Sequence, residues 1–350
     1  MKMLDMDRLL LIINKLIKGV INMNIKKIGL TALGSSLIAT SAFAGALDVS
    51  GSAGITFAGA DKGTSANGFS MTDEVTFSGG GEMDNGMNVT VSMQLDNNAS
   101  GGTGQFMDNR SVVIDTNGLG TITFAGHGGD SALGAVDDVM PTAYGESWDV
   151  MSEAIDNGSV TAAASTVFNS IGSAGSNNML SYSNSDAMDG LKLTVSYVPS
   201  GTGEATSSTD YAVEYTGFDG LTVGYAAGEN NATAGSETDP STMYAKYAYG
   251  PITVGIQESE IDASTVAASD DFSAMGITYQ VSDDLTIGYH ESTYDAGDKA
   301  TDQENSNMSI SYTMGSMTLA AAFVEEENRG GLTTAVNDIK AYEIDLSFAF

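Results

Sequence analysis

Apolar and polar residues alternate with a period of two along most of this chain. The clearest stretch is 87–96, where Met87, Val89, Val91, Met93 and Leu95 share one face and Asn88, Thr90, Ser92, Gln94 and Asp96 the other. Such alternation marks a strand with one apolar and one wet face. The same reading predicts strands at 46–60, 69–79, 106–115, 119–126, 176–185, 191–198, 211–216 and 221–227. It continues through 243–249, 252–258, 272–281, 285–292, 308–314, 317–325 and 339–350, about sixteen in all. Gly, Asn and Asp stand at the joints. Asn85-Gly86 and Asn117-Gly118 supply the positive φ that tight hairpin turns need.

The rhythm breaks once, between about 127 and 175. That stretch holds the chain's single Trp (Trp148), one of its four Pro (Pro141) and a group of carboxylates: Asp130, Asp137, Asp138, Glu146, Asp149, Glu153 and Asp156. A loop of this length without its own secondary structure is expected to be functional. Elsewhere short turns, such as Asp219-Gly220 and Gly250-Pro251, take turns with long polar joints such as 199–210 and 295–307. Short turns at one rim and long loops at the other are the pattern of an antiparallel barrel inserted in a membrane from one side, and an even strand count fits it.

The N-terminal part reads as an export signal. From Met23, Lys26 and Lys27 form a basic start, 28–38 an apolar core, and Ala42-Phe43-Ala44 a small-residue cleavage site. Residues 1–22 are expected to be an upstream extension outside the working protein, 23–44 the signal, and 45–350 the mature chain. No later apolar run is long enough for a spanning helix, which leaves alternating strands as the route through a membrane. In the last predicted strand Tyr342, Ile344, Leu346, Phe348 and Phe350 share a face, with Glu343, Asp345, Ser347 and Ala349 opposite. In a soluble protein that strand would be an exposed edge and an aggregation hazard; in a closed barrel it pairs with the first.

Charge narrows the partners. The chain has 13 Lys and Arg against 45 Asp and Glu, and the expected cleavage leaves 7 basic against 43 acidic residues. Nucleic acid is excluded as a partner because phosphate binding needs clustered cations. Acidity of this degree solubilises, and it also gathers cations. With no Cys and only His127 and His290, neither a Cys-ligated metal nor a His-based site is expected. His127 is read as a pore-facing or hinge residue. Serine lacks a nucleophile-elbow setting, and Gly126-His127-Gly128-Gly129 lacks the Lys and Ser/Thr of a phosphate loop. No enzymatic activity and no required cofactor are expected. Clustered loop carboxylates are hard oxygen ligands of the kind that suits Ca²⁺, against the plainer reading of hydrated surface charge.

Several segments together resemble the general porins of Gram-negative outer membranes, in particular their alphaproteobacterial branch. They are the signal followed by Leu47-Asp48-Val49-Ser50-Gly51, then Asn109-Arg110-Ser111-Val112-Val113 with 119–126, the acidic insertion, 177–182, and Phe350. The resemblance implies an all-β transmembrane barrel of about sixteen strands, a homotrimer in contact with outer-membrane lipid and lipopolysaccharide, and passage of small hydrophilic solutes and ions. It implies that the interrupting loop, 127–175, folds into the lumen with its carboxylates at the narrowest point: Asp137, Asp138, Glu146, Asp149, Glu153 and Asp156. Arg110 matches the family's wall arginine. Only Lys192 and Lys246 join it as strand cations at plausible lumen positions, a departure that predicts preference for cations. Two other readings stay open at this point, an exported acidic β-rich surface protein and a substrate-specific channel.

Overall fold

The period-two alternation builds a wall with two unlike faces. In the computed structural model, residues 47–61, 68–96, 107–148, 177–200, 207–231, 237–263, 269–333 and 337–350 are described. The expected upstream extension and signal, and Asp149, Glu153 and Asp156, lie outside them. The strands are β1 (Asp48–Ala60), β2 (Gly68–Glu82), β3 (Asn88–Asp96), β4 (Met107–Asp115), β5 (Thr121–His127), β6 (Met179–Met188), β7 (Leu191–Val198) and β8 (Ser207–Phe218). They continue as β9 (Leu221–Asn231), β10 (Thr238–Tyr249), β11 (Ile252–Ala263), β12 (Asp270–Ser282), β13 (Leu285–Ala296), β14 (Gln303–Met314), β15 (Met317–Glu327) and β16 (Ile339–Ala349). Each pairs antiparallel with its sequence neighbours, and β16 returns to β1, so the sheet closes into a barrel with no free edge. Closure extends to Phe350, which exchanges two backbone hydrogen bonds of 2.9 Å with Gly51.

The turns follow from local chemistry. Between β4 and β5, Asn117 (φ 57°) and Gly118 (φ 97°) both take the left-handed conformation, as a primed turn requires. The Asn117 N–H donates to Asp115 Oδ1 at 2.9 Å and fixes the start of that turn.

Register decides which face is outside. Ile256, Met275, Ile287, Met308 and Phe323 are exposed, while Gln257, His290, Asn307 and Gln303 at alternate positions are buried. Among the described residues nothing covers the apolar face, so it is the outer one, and the polar residues turn toward the barrel's interior. In water, so much exposed apolar surface would be a liability; against hydrocarbon it is the stable arrangement. Several strands run beyond the predicted limits toward the long-loop rim. β8, predicted at 211–216, spans Ser207–Phe218, and β10, predicted at 243–249, begins at Thr238. Both faces are polar there, so backbone pairing continues where the hydropathy pattern has already faded.

Candidate functional site

The interrupting loop leaves β5 at His127, and residues 128–148 are the part described. Ser131 organises its start. The Ser131 hydroxyl oxygen accepts the Gly134 N–H at 3.1 Å and its carbonyl accepts the Ala135 N–H at 2.9 Å, starting a short 3-10 turn at Gly134–Val136. Leu133, Val136, Met140 and Trp148 are buried with Ala212, Ala226, Tyr244, Phe272 and Ala274 of β8, β9, β10 and β12. At roughly 1.5–3 kcal/mol for each fully buried large apolar side chain, these four anchors outweigh any single hydrogen bond in the segment.

Polar contacts then tie the segment along the wall. The Ala132 N–H donates to Ser196 Oγ of β7 at 2.9 Å, and Lys246 Nζ of β10 donates to the Val139 carbonyl at 3.4 Å. Further along, the Ala143 N–H donates to Ser309 Oγ at 3.1 Å and Asn307 Nδ2 to the Gly145 carbonyl at 3.0 Å, both on β14. Ser147 Oγ lies 2.9 Å from Ser292 Oγ and 3.1 Å from His290 Nδ1 on β13, and the Tyr144 hydroxyl donates to Glu343 of β16. All these wall residues alternate with the exposed apolar ones, so the segment lies on the polar face. Backbone approaches wall at three glycines. A Cβ on Gly255 would stand 2.6 Å from Pro141 Cδ, one on Gly276 2.5 Å from the Pro141 carbonyl oxygen, and one on Gly288 2.8 Å from the Ala143 nitrogen.

The described carboxylates of the loop divide. Asp137 and Glu146 are buried. Gln257 Nε2 donates to Asp137 Oδ1 at 3.4 Å, and Glu146 Oε1 accepts the Met140 N–H at 3.2 Å, closing the loop on itself. Asp138 is exposed. Desolvation raises the Asp130 carboxyl above its ordinary range, an effect that the positive charge of Lys192 partly offsets.

Arg110 is not brought together with these acids. It is the register partner of Met93 on β3 and shares a face with Val112, both exposed apolar residues. The cause is the phase of β4 itself, which puts Arg110 with Val112 and Ile114; beside it the β4–β5 register shifts, leaving Gly126 as an extra residue where a Cβ would stand 3.0 Å from Arg110 Nε. Of the two other strand cations, Lys192 pairs with Glu214 at 2.7 Å and Lys246 holds the loop carbonyl already named.

Inward carboxylates that the sequence reading left out of the site include Glu74 and Asp345. Glu74 of β2 accepts from Ser52 Oγ at 3.0 Å and from Gln94, and Asp345 of β16 accepts from Thr56 Oγ1 at 2.9 Å. Neither forms an ion pair among the described residues. Their signal was present, since both fall on the polar phase of a clean alternation. Among the described residues no group of three or more His, Asp or Glu side chains lies close enough to hold a metal ion.

A closed antiparallel barrel of sixteen strands, apolar outside and polar within, defines the class: a transmembrane barrel enclosing a wet lumen. The profile described as Gram-negative porin matches residues 29–349, and the chain belongs to that family of outer-membrane channels. Its fold is similar to Salmonella typhi OmpF solved in complex with daunomycin (TM-score 0.64, 14% identity, 87% of this chain and 97% of that one). It is also similar to OmpT of Vibrio cholerae in a trimer form (0.62, 14%, 87% and 99%). A mutant of Rh. blastica porin matches comparably (0.61, 14%, 87% and 100%). No curated protein sequence matches the chain.

Proposed function

We propose that this porin is a passive, cation-preferring diffusion channel whose lumen is narrowed by the loop after β5. The observation that carries the reading is the placement of residues 131–148. They bond to polar-face residues from β7 to β16 over little more than a dozen positions. The segment keeps to the polar face along that arc, touching β10, β11, β12, β13 and β14 in turn, which supports a path inside the wall. Solutes would pass between it and the wall of β1–β5. Transport then needs no chemistry, only size exclusion and charge preference in a confined, low-dielectric surround.

Cation preference rests on the balance of free charge. The inward strand cations Lys192 and Lys246 are engaged by Glu214 and by the Val139 carbonyl, whereas Glu74 and Asp345 keep only hydroxyl and amide partners. The test is reconstitution in a planar bilayer under a KCl gradient. A reversal potential of the sign set by K⁺ is expected; anion preference, or no conductance, would sink the reading.

Trimeric assembly belongs to the same proposal. Asp73, between Met71 and Val75 on β2, and Arg110 on β4 both sit on the apolar outer face without an ion pair among the described residues. A charge facing mid-bilayer lipid costs up to about 2–4 kcal/mol, less for Asp than for Arg. An apposed subunit would supply both with polar surroundings, and the OmpT neighbour is recorded in a trimer form. Mass measurement in detergent should give three copies, and a monomer would remove this part of the proposal.

A further inference from the structure

The outer surface of β8–β13 combines an apolar groove with an acidic pocket. Tyr215, Val223, Ala245 and Ile256 are register partners on one rung, and Val213, Tyr225, Met243 and Glu258 on the next. Ala245 is small among large neighbours, and a groove of about 470 Å³ opens between these rungs. Toward the long-loop rim the following rung turns polar: Ser241, Glu260, Asp271 and Asp295 face one another across β10–β13. A second pocket of about 290 Å³ is bounded by these groups and meets the first at Tyr225, Met243 and Glu258.

Carboxylates directly opposite one another in a sheet repel. Glu260, Asp271 and Asp295 stand in one such row, with Glu258 beside them. No lysine or arginine lines either pocket, and none of the four forms an ion pair among the described residues. The occupant has to be amphiphilic, because the groove lies on the membrane-facing side and the pocket at its polar margin. It has to be cationic at its head, because an anionic headgroup would add to the repulsion. The carboxylates do not converge into a metal site either. A bulky ammonium suits them better, since its positive charge offsets several separated acids without tight coordination.

We propose that this face binds a membrane amphiphile with a positively charged amine headgroup. Its acyl chain lies in the groove over Ala245, and its ammonium sits among Glu258, Glu260, Asp271 and Asp295. The site is separate from the lumen, so it stands or falls independently of ion selectivity.

Native mass spectrometry of the intact barrel from neutral maltoside micelles tests it. The probes are dioleoyl trimethylammonium propane and dioleoyl phosphatidylglycerol, the latter with and without Ca²⁺. Retention of the ammonium lipid on the order of tenfold over phosphatidylglycerol is expected. The preference should vanish in the E258Q/E260Q/D271N variant, and Ala245→Trp should release the ammonium lipid by filling the groove. Heat-modifiable gel migration checks that each variant is a folded barrel. Equal retention of the two lipids by the unaltered protein overturns the proposal, as does phosphatidylglycerol binding that matches the ammonium lipid once Ca²⁺ is added. Preference that survives either substitution in a folded barrel overturns it as well.

Discussion

Two sides of the barrel interior are built from the same alternating strands and do different things with their polar residues. On the side from β7 to β16, serines, amides and His290 are used to hold residues 131–148, and the lysines are engaged there too. On the side of β1–β5, Ser52, Gln94 and Asn109 form a hydroxyl and amide network around Glu74, and at the seam of β1 with β16 Thr56 donates to Asp345. One side spends its hydrogen-bonding capacity on a protein segment; the other closes it among its own side chains. The difference teaches that carboxylates adjacent in the loop sequence meet unlike surroundings: Asp137 and Glu146 are buried while Asp138 is exposed. Glu74 and Asp345, half-buried on either side of the β1 strand, lie among hydroxyl and amide partners instead.

The largest effect should come from breaking the loop-bearing side. Gly276→Val inserts a branched side chain where even a Cβ would stand 2.5 Å from the Pro141 carbonyl oxygen. Overpacking of this kind costs about 1–3 kcal/mol. The segment should lift from β12, and single-channel conductance should rise with a broader spread of levels; unchanged conductance would show that the segment does not limit flow. Next comes the bare side. A carboxylate about 4 Å from a passing cation contributes about 1 kcal/mol even in bulk water, roughly fivefold in occupancy. Glu74→Gln with Asp345→Asn should therefore move the reversal potential under a KCl gradient most of the way to zero.

Two smaller effects sharpen the contrast. Asp138→Asn removes an exposed loop charge and should lower K⁺ preference by less than the Glu74 and Asp345 pair, whereas Asp137→Asn should act on the stability of the loop rather than on selectivity. Thermal unfolding followed beside the bilayer measurement separates the two. The smallest is Arg110→Ala. Because Arg110 shares its face with Met93 and Val112, selectivity should be unchanged within error, and any shift is expected in subunit association measured by mass in detergent.

Much of the wall was legible because a barrel strand buries nothing by chance. Met87 to Asp96 alternates without a fault, and Asn117-Gly118 announces its turn, so strand count, order and closure could be read from pattern alone. The outer ends of β8 and β10 escaped because hydropathy loses its contrast beyond the membrane while backbone pairing goes on. The loop was legible as an interruption, but the fate of each carboxylate was not. Burial of Asp137 depends on Gln257, 120 positions away, and nothing local distinguishes it from Asp138 beside it. Arg110 was placed by its resemblance to a family residue, although the alternation of its own strand sets it in phase with Val112 and Ile114 on the apolar face.

The seam between Gly51 and Phe350 sets a constraint in time. Every other strand finds its partner next to it in the chain, so hairpins can zip as they arrive. The outer edge of β1 has no partner until β16 is delivered, and for that whole interval it is an unpaired edge open to any other strand. Whatever escorts this chain to its membrane must therefore shield one edge from the beginning of export to its end, and the last hydrogen bonds to form are the ones that make that protection unnecessary.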